Sequence, residues 1–363
     1  MIQRSPSAVV LVLLSGWHCM KTLVIGGTGF LGSYIVEELL ARGHQVAVLS
    51  RNPGRATKEV AEGVEVVGGD INELDQAALT DLMAPYCKLV YAAGVDERVR
   101  PDIDAREFFF RENVDTCRKV LLAACDTGIT HVALLNSIFT CIDRLRPELE
   151  LTRHHPYIAS RVAQSDMALE VSRGNFIATV LEIPWVFGCS RGKPSQWSAL
   201  VNYVRFSRPL VAPSGGAVAI SAENIGKAVS GALQHPEASI SVPVGDCNLS
   251  WDDMLLHLGE LSGKSQDSVM RLPSGLFSGM TRVGAMAMRL VGEKSGLDFA
   301  RLDDLLLEDN AIDLAPSQAL LQYGEADIKP ALAATLESVP DYRQVAAAWL
   351  RSPVERLVAA GRA

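Results

Sequence analysis

The chain has 363 residues, 48% of them hydrophobic, which is enough for one large domain or two closely joined ones around a sizeable core. Its formal net charge of −8, without a long basic tract or an interleaved aromatic patch, argues against a nucleic-acid partner. Its 7 cysteines are scattered with no CxxC pair, and its 7 histidines are dispersed, with His154-His155 adjacent and ill-spaced as helical ligands. A reduced, cytoplasmic protein without a metal site is the expectation.

Taken in chain order, Arg4 precedes an apolar run from Ala8 to Leu14 that is leader-like but too short to span a bilayer. Gly16-Trp17-His18-Cys19 is a poor cleavage site, and Met20 stands directly before the first predicted strand. Residues 1–19 are therefore expected to be an extension upstream of the working start, with an extra edge element or an export signal as the other readings. No membrane partner is expected. Leu23-Val24-Ile25 predicts a strand and Phe30 to Ala41 a helix ended by Gly43. Strands are predicted at Gln45–Leu49, Val64–Gly68, Leu89–Ala93, His131–Leu135 and Phe176–Glu182. Helices are predicted at Leu74–Met83, Phe108–Cys125 and Tyr157–Val171. The alternation predicts an α/β fold, a Rossmann-type doubly wound parallel sheet over residues 20–190.

Beyond Gly188 the pattern loosens into a smaller C-terminal substrate-binding region, residues 191–363, with segments returning to the main sheet. It contains predicted helices at Ser198–Phe206 and Ala222–Leu233, and strands at Ala217–Ile220 and Ser239–Val244. A further helix is predicted from Trp251, with Ser250 as its cap. Residues 273–292, with Met280, Met286 and Met288, are expected to form a packing or dimer face rather than a mobile apolar wall over a substrate. Val345 to Ala360 predicts a surface helix interrupted near Pro353.

The chemistry starts at Gly26-Gly27-Thr28-Gly29-Phe30-Leu31-Gly32, between the first strand and the first helix. Gly26 permits a tight turn, Gly29 lets a pyrophosphate approach, and Gly32 lets the helix pack closely. The end of the second strand lacks the acidic residue that pairs with an unphosphorylated ribose and has Ser50-Arg51-Asn52-Pro53-Gly54-Arg55 instead. Ser50 and Arg51, with Arg55 in the same turn, suit a 2′-phosphate, so NADP(H) is favoured over NAD(H). Asp70 and Ile71 suit the edge and face of an adenine, and Ala92-Ala93-Gly94 offers a surface for close approach. A charged loop from Asp96 to Asp104 lies where an open sheet binds ligands, and its Arg98 and Arg100 suit an anionic substrate; a solvated loop with internal salt bridges is the other reading. A second substrate wall is expected from Cys189 to Trp197, with Arg191, Lys193 and Trp197.

Over roughly residues 21–345 the chain resembles the extended short-chain dehydrogenase/reductase family, which includes NAD-dependent epimerases and dehydratases. The resemblance rests on the glycine turn, Gly69-Asp70-Ile71, Ala92-Ala93-Gly94, Glu112-Asn113-Val114, Leu135-Asn136-Ser137, Tyr157-Ile158-Ala159-Ser160-Arg161 and Pro184-Trp185-Val186-Phe187-Gly188. Ile220 to Ile225 and Val242 to Gly245 with Ser250-Trp251 follow in order. The resemblance implies that Ser137 steadies a substrate oxygen, with Thr140 as fallback, and that Tyr157 transfers a proton. It also implies that Pro184 and Val186 line the nicotinamide pocket, that Asn113 supports the cofactor site beside the fourth strand, and that a homodimer forms through 108–125 and 157–171. The family's lysine, which holds the nicotinamide ribose and lowers the tyrosine pKa, is Arg161 here. An arginine can bind ribose hydroxyls and face a tyrosinate, yet its planar, bulkier fork does not copy an ammonium. Two readings stand: an NADP(H)-dependent enzyme that moves a hydride at a carbonyl or alcohol of a small molecule, epimerases and dehydratases included, or a cofactor-binding regulatory or scaffold protein.

Overall fold

The computed structural model describes residues 20–189, 195–263 and 269–340. The expectations for residues 1–19, for Arg191 and Lys193, and for a helix over 345–360 lie outside the described residues.

Seven strands form one parallel sheet: β1 (Lys21–Ile25), β2 (Gln45–Ser50), β3 (Glu65–Gly68), β4 (Lys88–Tyr91), β5 (His131–Ser137), β6 (Ile177–Ile183) and, beyond β7 (Trp185–Phe187), β8 (Val211–Ala212) and β9 (Gly216–Ser221), the strand β10 (Ile240–Pro243). Their order is β10-β6-β5-β4-β1-β2-β3. The strands are near-continuous apolar runs because both sheet faces are covered. Val24, Val48 and Val90 pack under helices Phe30–Ala41 and Ala222–Ala232. The alternate residues Leu23, Ile25, Leu89 and Tyr91 pack under helices Gln76–Met83, Thr116–Cys125 and Pro156–Ser172. β10 pairs with β6, so a segment after residue 190 completes the main sheet.

The remaining strands β11 (Cys247–Ser250) and β12 (Met270–Arg271) build two small sheets, β11-β9-β7 and β12-β8. Helix Trp251–Leu261 packs with Phe187, Val204, Leu210 and Leu332 in a separate apolar cluster beside the main sheet. The chain thus crosses from β3 back to β4 beside β1, and the switch point for a ligand lies above the carboxyl ends of β1 and β4.

Two expectations change. The helix predicted from Phe108 to Cys125 is three pieces: α-helix Ala105–Phe109, a π-helical turn Phe110–Asp115 and α-helix Thr116–Cys125. The wide turn aims Asn113, its one buried residue, toward the end of β4. Residues 273–292, expected to form a packing or dimer face, form helix Ser274–Leu290 with Ala285 as its one buried residue, so most of its apolar face is not packed on the body. Phe277 and Met288 are half-buried, whereas Leu276, Met280, Val283, Met286 and Leu290 face solvent. Among the described cysteines, Cys117, Cys125, Cys141, Cys189 and Cys247 are free thiols.

A methyl group added at Gly32 lies 2.1 Å from the Gly26 carbonyl oxygen, whereas one added at Gly128 meets nothing within 4 Å. Gly32→Ala is expected to lower the unfolding free energy by about 1–3 kcal/mol through overpacking. Gly128→Ala should leave it within about 0.5 kcal/mol, both read as urea midpoints.

Candidate active site

The turn after β1 is built by contacts that exclude side chains. Gly26 has φ +89°, and a Cβ there meets the Ala92 carbonyl oxygen at 2.5 Å. The Gly29 amide donates to the Gly26 carbonyl at 2.9 Å, and a Cβ on Gly29 meets the same oxygen at 3.0 Å. Two cavities of about 560 Å³ each meet over Gly26, Gly29 and the segment Ala92–Val95.

The first cavity is lined by Thr28, Ser50, Arg51, Arg55, Asp70 and Ile71, which the fold brings together from the ends of β1, β2 and β3. The Ser50 hydroxyl accepts from the Asn52 amide at 3.2 Å, and the Asn52 side chain caps helix Pro53–Glu59 by accepting from the Arg55 amide at 3.1 Å. Arg55 is paired with Glu59 at 2.6 Å. Arg51 has no ion pair among the described residues and stays exposed at the cavity wall. Asp70 accepts from the Asn72 amide at 3.0 Å.

The second cavity is lined by Phe30, Leu31, Gly32, Ser137, Tyr157, Arg161, Pro184, Val186, Arg98 and Trp197. The register Ser137↔Ile183 puts Ser137 beside Pro184. Ser137 ends β5 and caps helix Ile138–Leu145, and it lines the same cavity as Tyr157. The Tyr157 ring stands edge-on to Phe109 at 5.7 Å and Phe139 at 6.5 Å. Burial pushes the Tyr157 phenol up to about 12; the Arg161 charge and the Ser137 side chain pull it down, and the Glu97 charge raises it.

Arg161 lies one helical turn after Tyr157 and is buried. Its Nη2 donates to the Leu135 carbonyl at 2.7 Å, and its Cζ is 5.9 Å from the Tyr157 ring centroid. A Cβ on Gly94 would lie 3.2 Å from Nη1. The guanidinium therefore bridges the ends of β4 and β5 at the wall of the second cavity. Its Nε is buried without a hydrogen-bond partner, a donor left over in the site.

Three expected ligand residues stand elsewhere. Thr140 donates its hydroxyl to Asn136 Oδ1 at 2.8 Å and does not line the cavity, because the helix begun at Ser137 turns it inward. Asn113 is fully buried and grips the main chain of Val95, accepting from its amide at 2.9 Å and donating to its carbonyl at 3.2 Å. It shapes the loop after β4, which lines both cavities, without lining either itself. Arg100 pairs with Glu293 at 3.0 Å outside the cavity. Arg98 does line the cavity, but it is tied to Asp96 through Nη2 and through Nε at 3.1 Å. Arg191 lies outside the described residues.

The cavity also holds residues that the sequence reading missed. Glu97 lines it, with burial and the Asp96 carboxylate raising its pKa. Its place in the charged loop after β4 was the available signal. Trp185 and Trp251 close one side, with Trp185 stacked on Trp197 at 5.1 Å. Leu297, Leu302, Leu305 and Leu306 continue the lining, from a segment with no pattern to announce it, and Trp251 Nε1 donates to the Leu306 carbonyl at 2.8 Å. His155 fastens that segment: its Nδ1 accepts from the Asp298 amide at 3.0 Å, and the Tyr157 amide donates to the Gly296 carbonyl at 2.9 Å.

A family model described as the NAD dependent epimerase/dehydratase family matches residues 22–210. The chain belongs to that family. Among curated relatives of this epimerase/dehydratase chain is the 4-hydroxy-2-methyl-3-oxo-4-farnesyl-3,4-dihydroquinoline-1-oxide ketoreductase of Stigmatella aurantiaca, 28% identical over 47% of this chain and 51% of that protein. The chain spans about half or less of the curated relatives it first matches. The crystal structure of gox2253 superposes with TM-score 0.72 at 19% identity, over 90% of this chain and 98% of that one. MoeE5, in complex with UDP-glucose and NAD, superposes with TM-score 0.60 at 17% identity, over 88% and 98%. These likenesses show a shared epimerase/dehydratase fold. Among the described residues no helix is long and apolar enough to cross a membrane, and no group of three or more His, Cys, Asp or Glu is placed to hold a metal.

Burial pushes the His155 imidazole from 6.5 down to about 4. Between those values the unfolded chain binds a proton that the folded one refuses. Its contribution to stability is therefore complete above about pH 6.5 and lost as pH falls toward 4. Urea midpoints measured across this range should fall less steeply in His155→Gln, leaving the part due to His44, which burial also pushes to about 4.

Proposed function

We propose that this chain is an NADP(H)-dependent oxidoreductase that reduces the carbonyl of an apolar small molecule, or oxidises the matching alcohol. The observation that carries this reading is that Ser137 and Tyr157 line one cavity with tryptophans, leucines and the glycine turn. The cradle fits a dinucleotide: at Gly26 and Gly32 a Cβ would strike main chain, so the backbone is bare where a pyrophosphate must approach. Ser50 and Arg51 at the outer cavity favour the 2′-phosphate of NADP(H) over the bare ribose of NAD(H).

When bound, NADPH supplies the hydride. Ser137 holds the substrate oxygen, and Tyr157 gives that oxygen its proton, so the carbonyl gains one hydride and one proton. A phenol kept protonated by burial is ready in the reducing direction. Arg161, fixed on Leu135, offers its unpartnered Nε and its charge toward the ribose. Substrate choice follows from charge as well as shape. Arg98 and Arg100, the cations expected to hold an anion, are neutralised by Asp96 and Glu293, so the diphosphate of a sugar nucleotide finds no free arginine from this loop. That favours a reductase over an epimerase or dehydratase of such sugars, and the Stigmatella relative is named for a ketone bearing a farnesyl chain.

The second reading is a cofactor-binding protein without hydride chemistry. One observation favours it: Arg161 spends a donor on the Leu135 carbonyl, where a shorter lysine would be free. Purified protein should oxidise NADPH with apolar ketones, and Tyr157→Phe should lower kcat by roughly 10²–10⁴ while NADPH still binds. An unchanged rate in Tyr157→Phe overturns the proposed chemistry, and no turnover with any ketone favours the second reading. Arg51→Asp should weaken NADPH binding by roughly tenfold or more, as loss of a charge-assisted contact requires, with little effect on NADH. Tighter binding of NADH than NADPH by the unaltered protein would overturn the cofactor choice.

A further inference from the structure

Helix Ser274–Leu290 shows solvent an uninterrupted apolar face. Leu276, Met280, Val283, Met286 and Leu290, with Val291 just beyond the helix, are between 56% and 78% exposed. At about 100° per residue they share one side of the helix. Ala285 lies on the opposite side, buried, and Ser278 there donates to Asp303 at 2.8 Å. Scattered exposed apolar residues are ordinary, whereas a contiguous patch of six on one helix marks an interaction surface.

The charge around the face says what meets it. Residues 270–294 contain Arg271, Arg282, Arg289 and Lys294 against Glu293, within a chain of net charge −8, and Asp252 from outside the segment pairs with Arg271 at 2.6 Å. Arg282 and Arg289 border the patch with side chains 69% and 71% exposed, and are held only loosely by Asp303 at 3.9 Å and Asp298 at 3.7 Å. A second copy of this chain is a poor occupant, because a two-fold contact sets the basic rim against itself. An anionic bilayer matches both features, apolar residues below the headgroups and arginines among them. Seventeen residues, amphipathic and fastened to the body along one side, lie in the interface and do not span it.

We propose that this helix docks the protein on the surface of an anionic membrane, next to the entrance of the substrate cavity. The segment that follows the helix supplies Leu297, Leu302, Leu305 and Leu306 to that cavity, and the Ser278–Asp303 bond ties the two together. An apolar substrate dissolved in the bilayer then enters without crossing water. This last step rests on the function proposed above; the docking does not.

Flotation of the full chain with vesicles tests the docking alone, and NADPH oxidation tests the function separately. The protein should float with phosphatidylcholine vesicles containing phosphatidylglycerol. It should float about tenfold or more less with phosphatidylcholine alone, or when Arg282→Gln and Arg289→Gln are combined. Met280→Glu with Val283→Glu should abolish flotation while leaving the urea midpoint and NADPH affinity unchanged, since neither side chain is buried or lines a cavity. No flotation with the anionic vesicles overturns the proposal. So does a dimer in light scattering that Val283→Glu dissolves, because the face would then belong to a second copy.

Discussion

The first turn of helix Phe30–Ala41 and the ends of β1 and β4 approach so closely that no side chain fits between them. A Cβ at Gly32 would sit 2.1 Å from one carbonyl oxygen, and a Cβ at Gly26 2.5 Å from another. Everything else in the site is arranged around that contact. It presses the helix start onto the switch point of the sheet, where amides face outward, and it leaves bare backbone between the two cavities. Asn113 completes it from behind. The π-helical turn carries that side chain inward, and its two bonds to Val95 hold the loop after β4 in place.

Within the inner cavity, burial and charge compete over Tyr157, and burial wins. Arg161 and Ser137 both favour the charged phenolate, yet removal from water still holds the group at about 12. The guanidinium acts at a distance, since its nearest strong bond is to the Leu135 carbonyl. Arginine at this position is therefore anchored to the sheet where a lysine would swing, and its planar fork is held between β4 and β5. The site gains a fixed positive charge at the expense of an adjustable one.

The outer walls have a different origin. Trp185, Trp197 and Trp251 stack from β7, the loop before helix Ser198–Phe206 and the start of helix Trp251–Leu261. Next to them the leucines of 297–306 are held by Trp251, by His155 and by the Tyr157 amide. The same helix start that presents Tyr157 to the cavity thus pins this part of its wall.

The parallel sheet, its helices and the cofactor cradle were legible in the residues, because each rests on local signals: apolar runs for strands buried on both faces, and glycines where a turn demands them. Ser137, Tyr157 and Arg161 were legible as candidates because ordered motifs surround them. Other features were not. Arg98 and Arg100 looked free in a charged loop, and only the folded chain sets Asp96 and Glu293 against them. Thr140 looked like a substrate contact, and helix phase turned its hydroxyl inward to Asn136. For helix Ser274–Leu290, expected to be a packing or dimer face, composition could not say which side meets the body. The sequence by itself determined the doubly wound sheet and its glycine turn, since both depend on neighbours within a few residues. Which charges stay free, which way Arg161 points and what encloses the substrate were decided by contacts between residues far apart in the chain, and those exist only after folding.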